Sequence, residues 1–240
     1  MSTSSVPNEW RAAHGVPVFK SGSSAQVANY RPISLTCIAC KLMERNIIVN
    51  LLGYLHQHKL ISKVQHGFKS RRSTTTNLLE TINDWSLTNS NRRIASTVYI
   101  NFSRAFDSVC HNKLFCKLRS LGIEGNLLSW IISFLSNRTI RTLVGSALSN
   151  SCPLRSGVVQ GSCIGPLLFV LYVNDVEKMF SNSTTTKLFA DDLKLYTELK
   201  SIGSNTILKK ELDLLISWCI KWQLTISIKK MLYFSCRKRI

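Results

Sequence analysis

The stretch that decides the fold is Lys187–Tyr196, KLFADDLKLY, in which two adjacent acids stand between two short apolar runs. Such runs are typical of buried β-strands, so the sequence predicts strands at Lys187–Ala190 and Leu193–Tyr196 that meet at Asp191 and Asp192. Two interpretations of the acidic pair stay open. Asp is common in solvated hairpin turns, but two carboxylates at the end of a buried sheet repel each other unless a cation compensates them.

A two-metal site needs a further ligand from a neighbouring strand, because carboxylate oxygens must bridge ions roughly 3.5–4 Å apart. The natural neighbour is Thr97–Phe102, TVYINF, which is rich in β-forming residues and predicts a buried strand. We therefore expect this segment to lie beside the acidic hairpin in one sheet.

The composition is that of a folded and strongly basic chain. Of 240 residues, 45% are hydrophobic, and 31 Lys and Arg face only 13 Asp and Glu, a net charge of +18. The apolar content excludes a disordered chain, and 11 glycines and 5 prolines without a short period exclude collagen-like and low-complexity classes. Both halves of the chain share the basic excess. A polyanionic partner, most simply nucleic acid, is expected.

Targeting, membrane and cysteine signals are mostly negative. The first 16 residues lack the apolar core of a secretory signal, and the longest apolar run, Pro166–Val173, is too short to span a bilayer. Of eight cysteines, only Cys37 and Cys40 are spaced like metal ligands, without a second pair. We expect buried reduced thiols rather than zinc, and an intracellular protein, cytoplasmic or nuclear, that is not secreted.

Apolar periodicity and turn residues predict the remaining elements. Helices are expected at 34–60, Ser73–Leu87, His111–Leu121, Leu127–Leu135, within 161–180 and at Leu208–Trp222, and strands at Arg141–Ser149 and within Leu224–Phe234. A Ser/Thr cluster can cap the helix at Ser73–Leu87, and Leu78, Leu79, Ile82 and Trp85 give it an apolar stripe. Mixed helices and antiparallel strands predict an α+β fold.

Seven segments follow one another in a recognisable order. They are VPVFKSG (16–22), NYRPISL (29–35), QHGFKSRRSTTTNLL (65–79), VYINFSRAFDSVCHNKL (98–114), SGVVQGSCIGPLLFVLYVND (156–175), LFADDLKLY (188–196) and WCIKWQLTISIKK (218–230). Over Val16 to Cys236 this order resembles the reverse transcriptase domain of non-LTR (LINE-like) retrotransposons. The resemblance implies a right-hand polymerase with fingers and palm, an antiparallel palm sheet backed by helices, and no thumb.

The resemblance also implies boundaries. Residues 1–16 would be a flexible N-terminal extension, 17–236 the reverse transcriptase domain and 237–240 a basic C-terminal end. Within the domain, fingers would occupy about 17–96 and 118–152, and the palm about 97–117 and 153–236. Neither a thumb nor an endonuclease is recognised, which is expected of the fingers and palm of a longer reading frame or of a degenerate genomic copy.

Matching positions receive the family's roles. Asp191, Asp192, the residue at 101 and the backbone of Phe102 would form the metal site, with two Mg²⁺ ions, or Mn²⁺, as cofactors. Lys230 resembles the lysine that protonates departing pyrophosphate, in a looser match because Ser227 stands where the family usually has Asn.

Four further matches concern the substrate. Gln160 resembles the residue that lines the incoming nucleotide and template base. Phe106 resembles the bulky ring that excludes ribonucleotides, or is a core residue. Lys20 and Arg31 resemble the bases that clamp the triphosphate, or are exposed and solvated.

The sequence departs from the family at Asn101, where the pattern has an Asp whose carboxylate bridges both metals. An amide oxygen can coordinate Mg²⁺ but brings no negative charge. Asp107 lies six residues further on, and in the family it is not the metal ligand, so we do not expect it to substitute. Val159 also replaces the usual Pro before the Gln-Gly pair.

The resemblance therefore implies an RNA-directed DNA polymerase, a nucleotidyltransferase that adds deoxynucleotides to a primer 3′-hydroxyl on an RNA template. Its partners would be the RNA template, the DNA primer and deoxynucleoside triphosphates, with no membrane and no small-molecule redox cofactor. Asn101 is expected to impair this copy. Two alternatives stay open: a non-catalytic nucleic-acid-binding remnant, or a relic without a selected role.

Overall fold

The computed structural model describes residues 4–200 and 206–236. The helices are α1 (Ile38–Gln57), α2 (Thr74–Ser90), α3 (His111–Ser120), α4 (Gly125–Leu135), α5 (Gly165–Val173) and α6 (Thr206–Trp222). The strands are β1 (Ala12–Phe19), β2 (Tyr30–Leu35), β3 (Ile94–Ser103), β4 (Arg138–Val144), β5 (Ala147–Leu148), β6 (Cys152–Leu154), β7 (Thr184–Phe189), β8 (Asp192–Leu199), β9 (Thr225–Ile226) and β10 (Leu232–Cys236). Short 3₁₀ turns lie at Asn8–Trp10, Val27–Asn29, Val176–Met179 and Ile228–Lys230.

This mixture of helices and mostly antiparallel strands confirms the α+β prediction. None of the helices in the described ranges combines the length and hydropathy that a bilayer-crossing segment requires. Packing divides the chain into two compact units. The first comprises the described residues up to Leu60 together with Phe106–Leu171, and the second comprises Ile61–Ala105 and the described residues from Tyr172 onward.

The first unit is built on the sheet β2-β1-β4-β5, with β6 paired to β4. Strand β1 is antiparallel to β2 and parallel to β4, so residues 12–16, expected to belong to an N-terminal extension, form the first part of a central strand. The end of the Ile140 side chain lies over Gly15, 2.6 Å from the position that a Cβ would take. Helix α1 buries Ile47, Leu51 and Leu55 in the core of this unit.

The second unit is built on the antiparallel sheet β10-β3-β8-β7, with β9 paired to the end of β3. The first five residues of β3 are all buried, and from Tyr99 to Ser103 half-buried and buried residues alternate. Phe102 packs against Trp218 of α6 with ring centroids 6.2 Å apart. The predicted strand at 97–102 is therefore confirmed and extends to Ile94–Ser103. The predicted acidic hairpin is confirmed with longer strands, and Asp192 is already the first residue of β8.

Helix α2 forms where the sequence predicts it, but it turns its polar side toward the core. Ser73 caps it, since its side chain accepts the Thr76 N–H in a capping box. The side chains buried on α2 are those of Asn77, Thr81 and Thr88, whereas Leu78, Leu79 and Ile82 of the apolar stripe are exposed.

The cause of this orientation is a buried lysine on β8. Nζ of Lys194 donates to Asn77 Oδ1 at 3.1 Å and to Thr81 Oγ1 at 2.9 Å. Burial, together with the nearby Lys187, lowers the pKa of Lys194 to about 8. A buried ammonium needs polar partners, and α2 provides them by packing its amide and hydroxyl face on the sheet.

Two other predictions need correction, and one strand was missed. The helix predicted at 34–60 starts only at Ile38, because residues 30–35 pair with β1. The strand predicted at Arg141–Ser149 is a hairpin, β4 and β5, that turns at Gly145 with φ 59°. Strand β6 was not predicted, since its three residues carry no periodic signal.

All eight cysteines lie in the described ranges and are free thiols. The prediction of buried thiols holds for Cys40 and Cys219. It is wrong for Cys37, Cys116 and Cys152, which are exposed because they lie at a helix cap, on an outer helix face and on a short edge strand. Desolvation and the neighbouring Glu44 raise the pKa of the Cys40 thiol to about 12.

Candidate active site

In the second unit, the end of β3 meets the turn between β7 and β8. The antiparallel register of β3 and β8 places Asn101 opposite Asp192, as the sequence predicted for these two segments. Nδ2 of Asn101 donates to Asp191 Oδ2 at 3.2 Å and to Asp192 Oδ1 at 2.7 Å. The fold therefore brings together the three side chains that the sequence singled out as the metal site.

Backbone hydrogen bonds anchor this cluster. The Phe102 N–H donates to Asp191 O at 3.4 Å, and the Ser227 N–H donates to Asn101 O at 2.8 Å. Asp191 is half-buried and Asp192 is exposed, although the strands below them are buried. The two carboxylates thus lie at the rim of the sheet on a fixed backbone.

The donor set fits one hard divalent cation better than it fits two. Carboxylate and amide oxygens are the ligands that Mg²⁺ prefers. Two carboxylates carry a charge of −2, enough to balance one divalent ion, and the residues described contain no group of three or more His, Cys, Asp and Glu that could hold a metal. In this structure Asn101 presents its N–H groups to both carboxylates. It would have to rotate its amide to offer an oxygen to an ion.

Lys230 belongs to the same unit. It closes the 3₁₀ turn Ile228–Lys230, its N–H donates to Ser227 O at 3.0 Å, and its side chain is exposed. Because Ser227 also bonds to Asn101, the turn that carries Lys230 is tied to the end of β3.

Phe106 and Gln160 lie in the first unit, on two segments that are bonded to each other. Val158 N–H donates to Phe106 O, and Nε2 of His111 donates to Gly157 O, each at 2.8 Å. Gly157 has φ 88°, and a Cβ there would overlap the backbone of Asp107. The ring of Phe106 is half-buried and stacks on Phe169 with centroids 4.7 Å apart, so it has core contacts as well as an exposed part.

Lys20 and Arg31 also belong to the first unit, at the hairpin of β1 and β2. Arg31 is paired with Val18 in the register, and the Lys20 N–H donates to Asn29 O at 2.9 Å. Both basic residues are exposed. One hairpin therefore presents both proposed triphosphate contacts.

These arrangements agree with a family match over most of the chain. Residues 19–239 match the family described as reverse transcriptase (RNA-dependent DNA polymerase). The chain belongs to the reverse transcriptase family. The resemblance of the sequence to reverse transcriptases is therefore confirmed. Reverse transcriptases generally use divalent metal ions.

Similar proteins come from non-LTR retrotransposons. The chain is 31% identical over 232 residues to the RNA-directed DNA polymerase from mobile element jockey of Drosophila melanogaster, covering 93% of this chain and 25% of that protein. It is 27% identical over 239 residues to the probable RNA-directed DNA polymerase from transposon BS of the same species, and the match covers 93% of this chain and 26% of that protein. The chain thus spans about a quarter of the length of these relatives.

Solved structures support the fold of this reverse transcriptase chain. Apo telomerase from Candida tropicalis, truncated from its C-terminal domain, superposes with a TM-score of 0.68 at 13% identity over 98% of this chain and 52% of that one. At this identity the likeness concerns the fold.

Glu44, a buried acid bonded to the loop that contains Gln160, was not predicted from the sequence. It is fully buried on α1, where its Oε2 accepts the Ile164 N–H at 2.9 Å and its Oε1 accepts the Cys40 Sγ–H at 3.6 Å. Burial raises the pKa of Glu44. Glu44 thereby anchors the end of the loop that contains Gln160. The sequence signal that could have identified it is a single acid among the regularly spaced apolar residues of α1.

Proposed function

We propose that this chain is the fingers and palm portion of a non-LTR retrotransposon reverse transcriptase, and that Asn101 impairs its polymerase activity. The proposed reaction transfers deoxynucleotides from their triphosphates to a primer 3′-hydroxyl on an RNA template. The observation that carries the proposal is the convergence of Asn101, Asp191 and Asp192 where β3 ends and β8 begins.

The residues of the second unit would hold the metal. Asp191, Asp192, the amide oxygen of Asn101 and the backbone of Phe102 would hold Mg²⁺, with Mn²⁺ as a substitute. A pair of such ions would lower the pKa of the attacking hydroxyl and neutralise the departing pyrophosphate. With an amide at position 101, the present donor set would hold only one of them well. Lys230 would donate a proton to that pyrophosphate from its exposed turn.

The residues of the first unit would handle the substrate. Lys20 and Arg31 would bind the triphosphate through their positive charge. Gln160 would line the nucleotide and the template base, and the exposed part of the Phe106 ring would exclude a ribose 2′-hydroxyl. The hydrogen bonds that join the segments of Phe106 and Gln160 support a shared task.

The impairment follows from charge. Two Mg²⁺ ions bring a charge of +4, against which two carboxylates provide −2 and three would provide −3. Removing one hard carboxylate ligand weakens metal-centred stabilisation by roughly several kcal/mol, which corresponds to orders of magnitude in rate.

The proposed partners are an RNA template and a DNA primer. The net charge of +18 favours phosphate contacts, which position a duplex without reading its sequence. Base pairing would then select the nucleotide. We also propose an intracellular place of action, cytoplasmic or nuclear, where such substrates are present.

Primer extension on an RNA template with Mg²⁺ tests the function. We expect no incorporation above background by the unaltered chain, and an increase of about 100-fold or more by Asn101→Asp. Asn83→Asp, at an exposed position of α2, is the matched control, because it adds the same charge away from the cluster. Asp191→Asn in the Asn101→Asp background should abolish the gain. An Asn101→Asp protein that binds the hybrid and still incorporates nothing would contradict the proposed polymerase.

One observation favours the alternative of a non-catalytic nucleic-acid-binding remnant. The Asn101 amide donates one hydrogen bond to each carboxylate, which offsets part of their mutual repulsion without a cation. A remnant of this kind binds an RNA–DNA hybrid with a logarithmic affinity that falls linearly with the logarithm of salt concentration. If the unaltered chain and Asn101→Asp both bind the hybrid with this salt dependence and neither incorporates nucleotides, the remnant is supported. Binding that does not depend on salt would contradict it.

A further inference from the structure

Residues Gln65–Gly67, within a segment to which the proposed function assigns no role, lie beside the strand that leads to the two acids. The Leu188 N–H donates to Val64 O at 2.9 Å, and the His66 N–H donates to Leu188 O at 2.8 Å. Gln65 and Leu188 form a parallel bridge. This segment therefore forms a single parallel bridge to the edge of β7.

The Gln65 side chain reaches the turn itself. It is 1% exposed, and its Oε1 accepts the Ala190 N–H at 3.0 Å and the Gly67 N–H at 2.7 Å. Its Nε2 has no hydrogen-bond partner among the residues described. The buried Gln65 amide thus acts on the turn through its carbonyl oxygen, which accepts both hydrogen bonds, and not through its amino group.

The turn needs such support because of Ala190. Its φ is 54°, in the left-handed region that an L-residue with a Cβ adopts only at a cost. Ala190 is buried, so its N–H would lack a partner without Gln65. Asp191 follows directly, and the direction of its side chain depends on the backbone angles at Ala190.

Gly67 gives independent support. A Cβ at Gly67 would overlap the Ala190 nitrogen, and the φ of Gly67 is not in the left-handed region. Glycine is therefore required at this position for close packing against the turn rather than for its own conformation.

We propose that Gln65 is a positioning residue for the acidic turn. Its Oε1 fixes Ala190 in the left-handed conformation and thereby sets Asp191 and Asp192 against residue 101. Gln65 acts through the turn. Its importance for polymerisation rests on the proposed function, whereas its effect on the turn does not.

Amide exchange at Ala190, measured by NMR, tests the effect on the turn directly. Gln65→Met removes the acceptor at nearly unchanged volume and should speed exchange by about tenfold or more. Gln65→Glu keeps a carbonyl or carboxylate acceptor and should restore protection. Gly67→Ala leaves Gln65 in place but displaces the turn, so it should also speed exchange.

Thr88→Val is the matched control. Thr88 is buried in the same unit and bonds to Glu198, six residues along β8 from Asp192 and about 20 Å away. Exchange at Ala190 should be unchanged in this variant. Unchanged exchange in both Gln65→Met and Gly67→Ala, with the core of the sheet still protected, would overturn the proposal.

A second readout separates this inference from the proposed function. In the Asn101→Asp background, Gln65→Met should lower kcat about tenfold with an unchanged KM for the nucleotide, and Gln65→Glu should recover part of the loss. Faster exchange at Ala190 without polymerase activity in any variant would contradict the proposed function and still support the role of Gln65 in the turn. A proportional rise in KM without a change in kcat would overturn its role in positioning the acids.

Discussion

Replacing Asn101 by Asp should lower the free energy of unfolding in EDTA. Adding Mg²⁺ should restore most of that stability. The Asn101 amide now donates to both neighbouring carboxylates, at 3.2 and 2.7 Å. Aspartate removes those two donors and places a third negative charge beside two others. Without a cation, the side chain of residue 101 would therefore repel the Asp191 and Asp192 carboxylates instead of donating hydrogen bonds to them.

The magnitude follows from these contacts. Two unit charges about 4 Å apart repel by about 1 kcal/mol in water, and two such pairs are created. This water-like value applies because Asp192 is exposed and Asp191 is half-buried. Each lost hydrogen bond adds about 0.5–1.5 kcal/mol. The free energy of unfolding should therefore fall by about 3–5 kcal/mol in EDTA.

Urea denaturation in EDTA and in Mg²⁺ measures both parts of this prediction. An ion present at about 100 times its dissociation constant adds about 2.7 kcal/mol to the folded state. Mg²⁺ should therefore recover most of the loss in Asn101→Asp and have a smaller effect on the unaltered chain. Asn101→Ala serves as the control, since it loses the same hydrogen bonds without adding charge. It keeps two carboxylates but lacks the third, so it should respond to Mg²⁺ less than Asn101→Asp does.

Two results would refute this reasoning. If Asn101→Asp were as stable in EDTA as the unaltered chain, the three side chains would not lie as close together as the structure places them. If Asn101→Asp responded to Mg²⁺ no more than Asn101→Ala, a carboxylate at position 101 would not be a ligand of the ion.

Three more predictions concern other parts of the molecule. Burial raises the pKa of Glu44 above its ordinary value of 4.5, so in this pH range the native state binds more protons than the unfolded state. The free energy of unfolding should therefore fall as the pH rises from about 4.5 through the raised pKa. Glu44→Gln should remove that slope in denaturation curves measured from pH 4 to pH 7, and an unchanged slope would contradict the assignment. In the Asn101→Asp background, Phe106→Val should raise ribonucleotide relative to deoxynucleotide incorporation about tenfold in single-turnover assays, whereas an unchanged ratio would make this ring a core residue only. Ser73→Ala should lower the unfolding free energy by about 1 kcal/mol in urea through loss of the α2 cap, with exposed Ser86→Ala near zero as control, and equal effects would argue against the cap.

Elements with strong local signals could be predicted from the sequence. Strand β3, the acidic hairpin and helices α2, α3, α4 and α6 all appear where periodicity and turn residues placed them. The convergence of Asn101 with Asp191 and Asp192 could also be expected, because the strand and the hairpin were predicted as neighbours in one sheet. The roles of Lys20, Arg31, Phe106, Gln160 and Lys230 stay predictions, as do the boundaries of fingers and palm.

Features that depend on distant partners could not be predicted. The orientation of α2 depends on Lys194, which contacts Asn77 from 117 residues away. The support of Ala190 by Gln65 spans 125 residues, and that of Ile164 by Glu44 spans 120. A single sequence contains no local signal for such pairs, because each is created only when separate segments pack together.

Binding of Mn²⁺, followed by electron paramagnetic resonance, tests the central claim that the cluster is a divalent-ion site one carboxylate short. We expect weak binding by the unaltered chain and at least about tenfold tighter binding by Asn101→Asp. Adding Asp191→Asn and Asp192→Asn to that variant should abolish the gain. An affinity that is the same in all of these proteins would contradict the account.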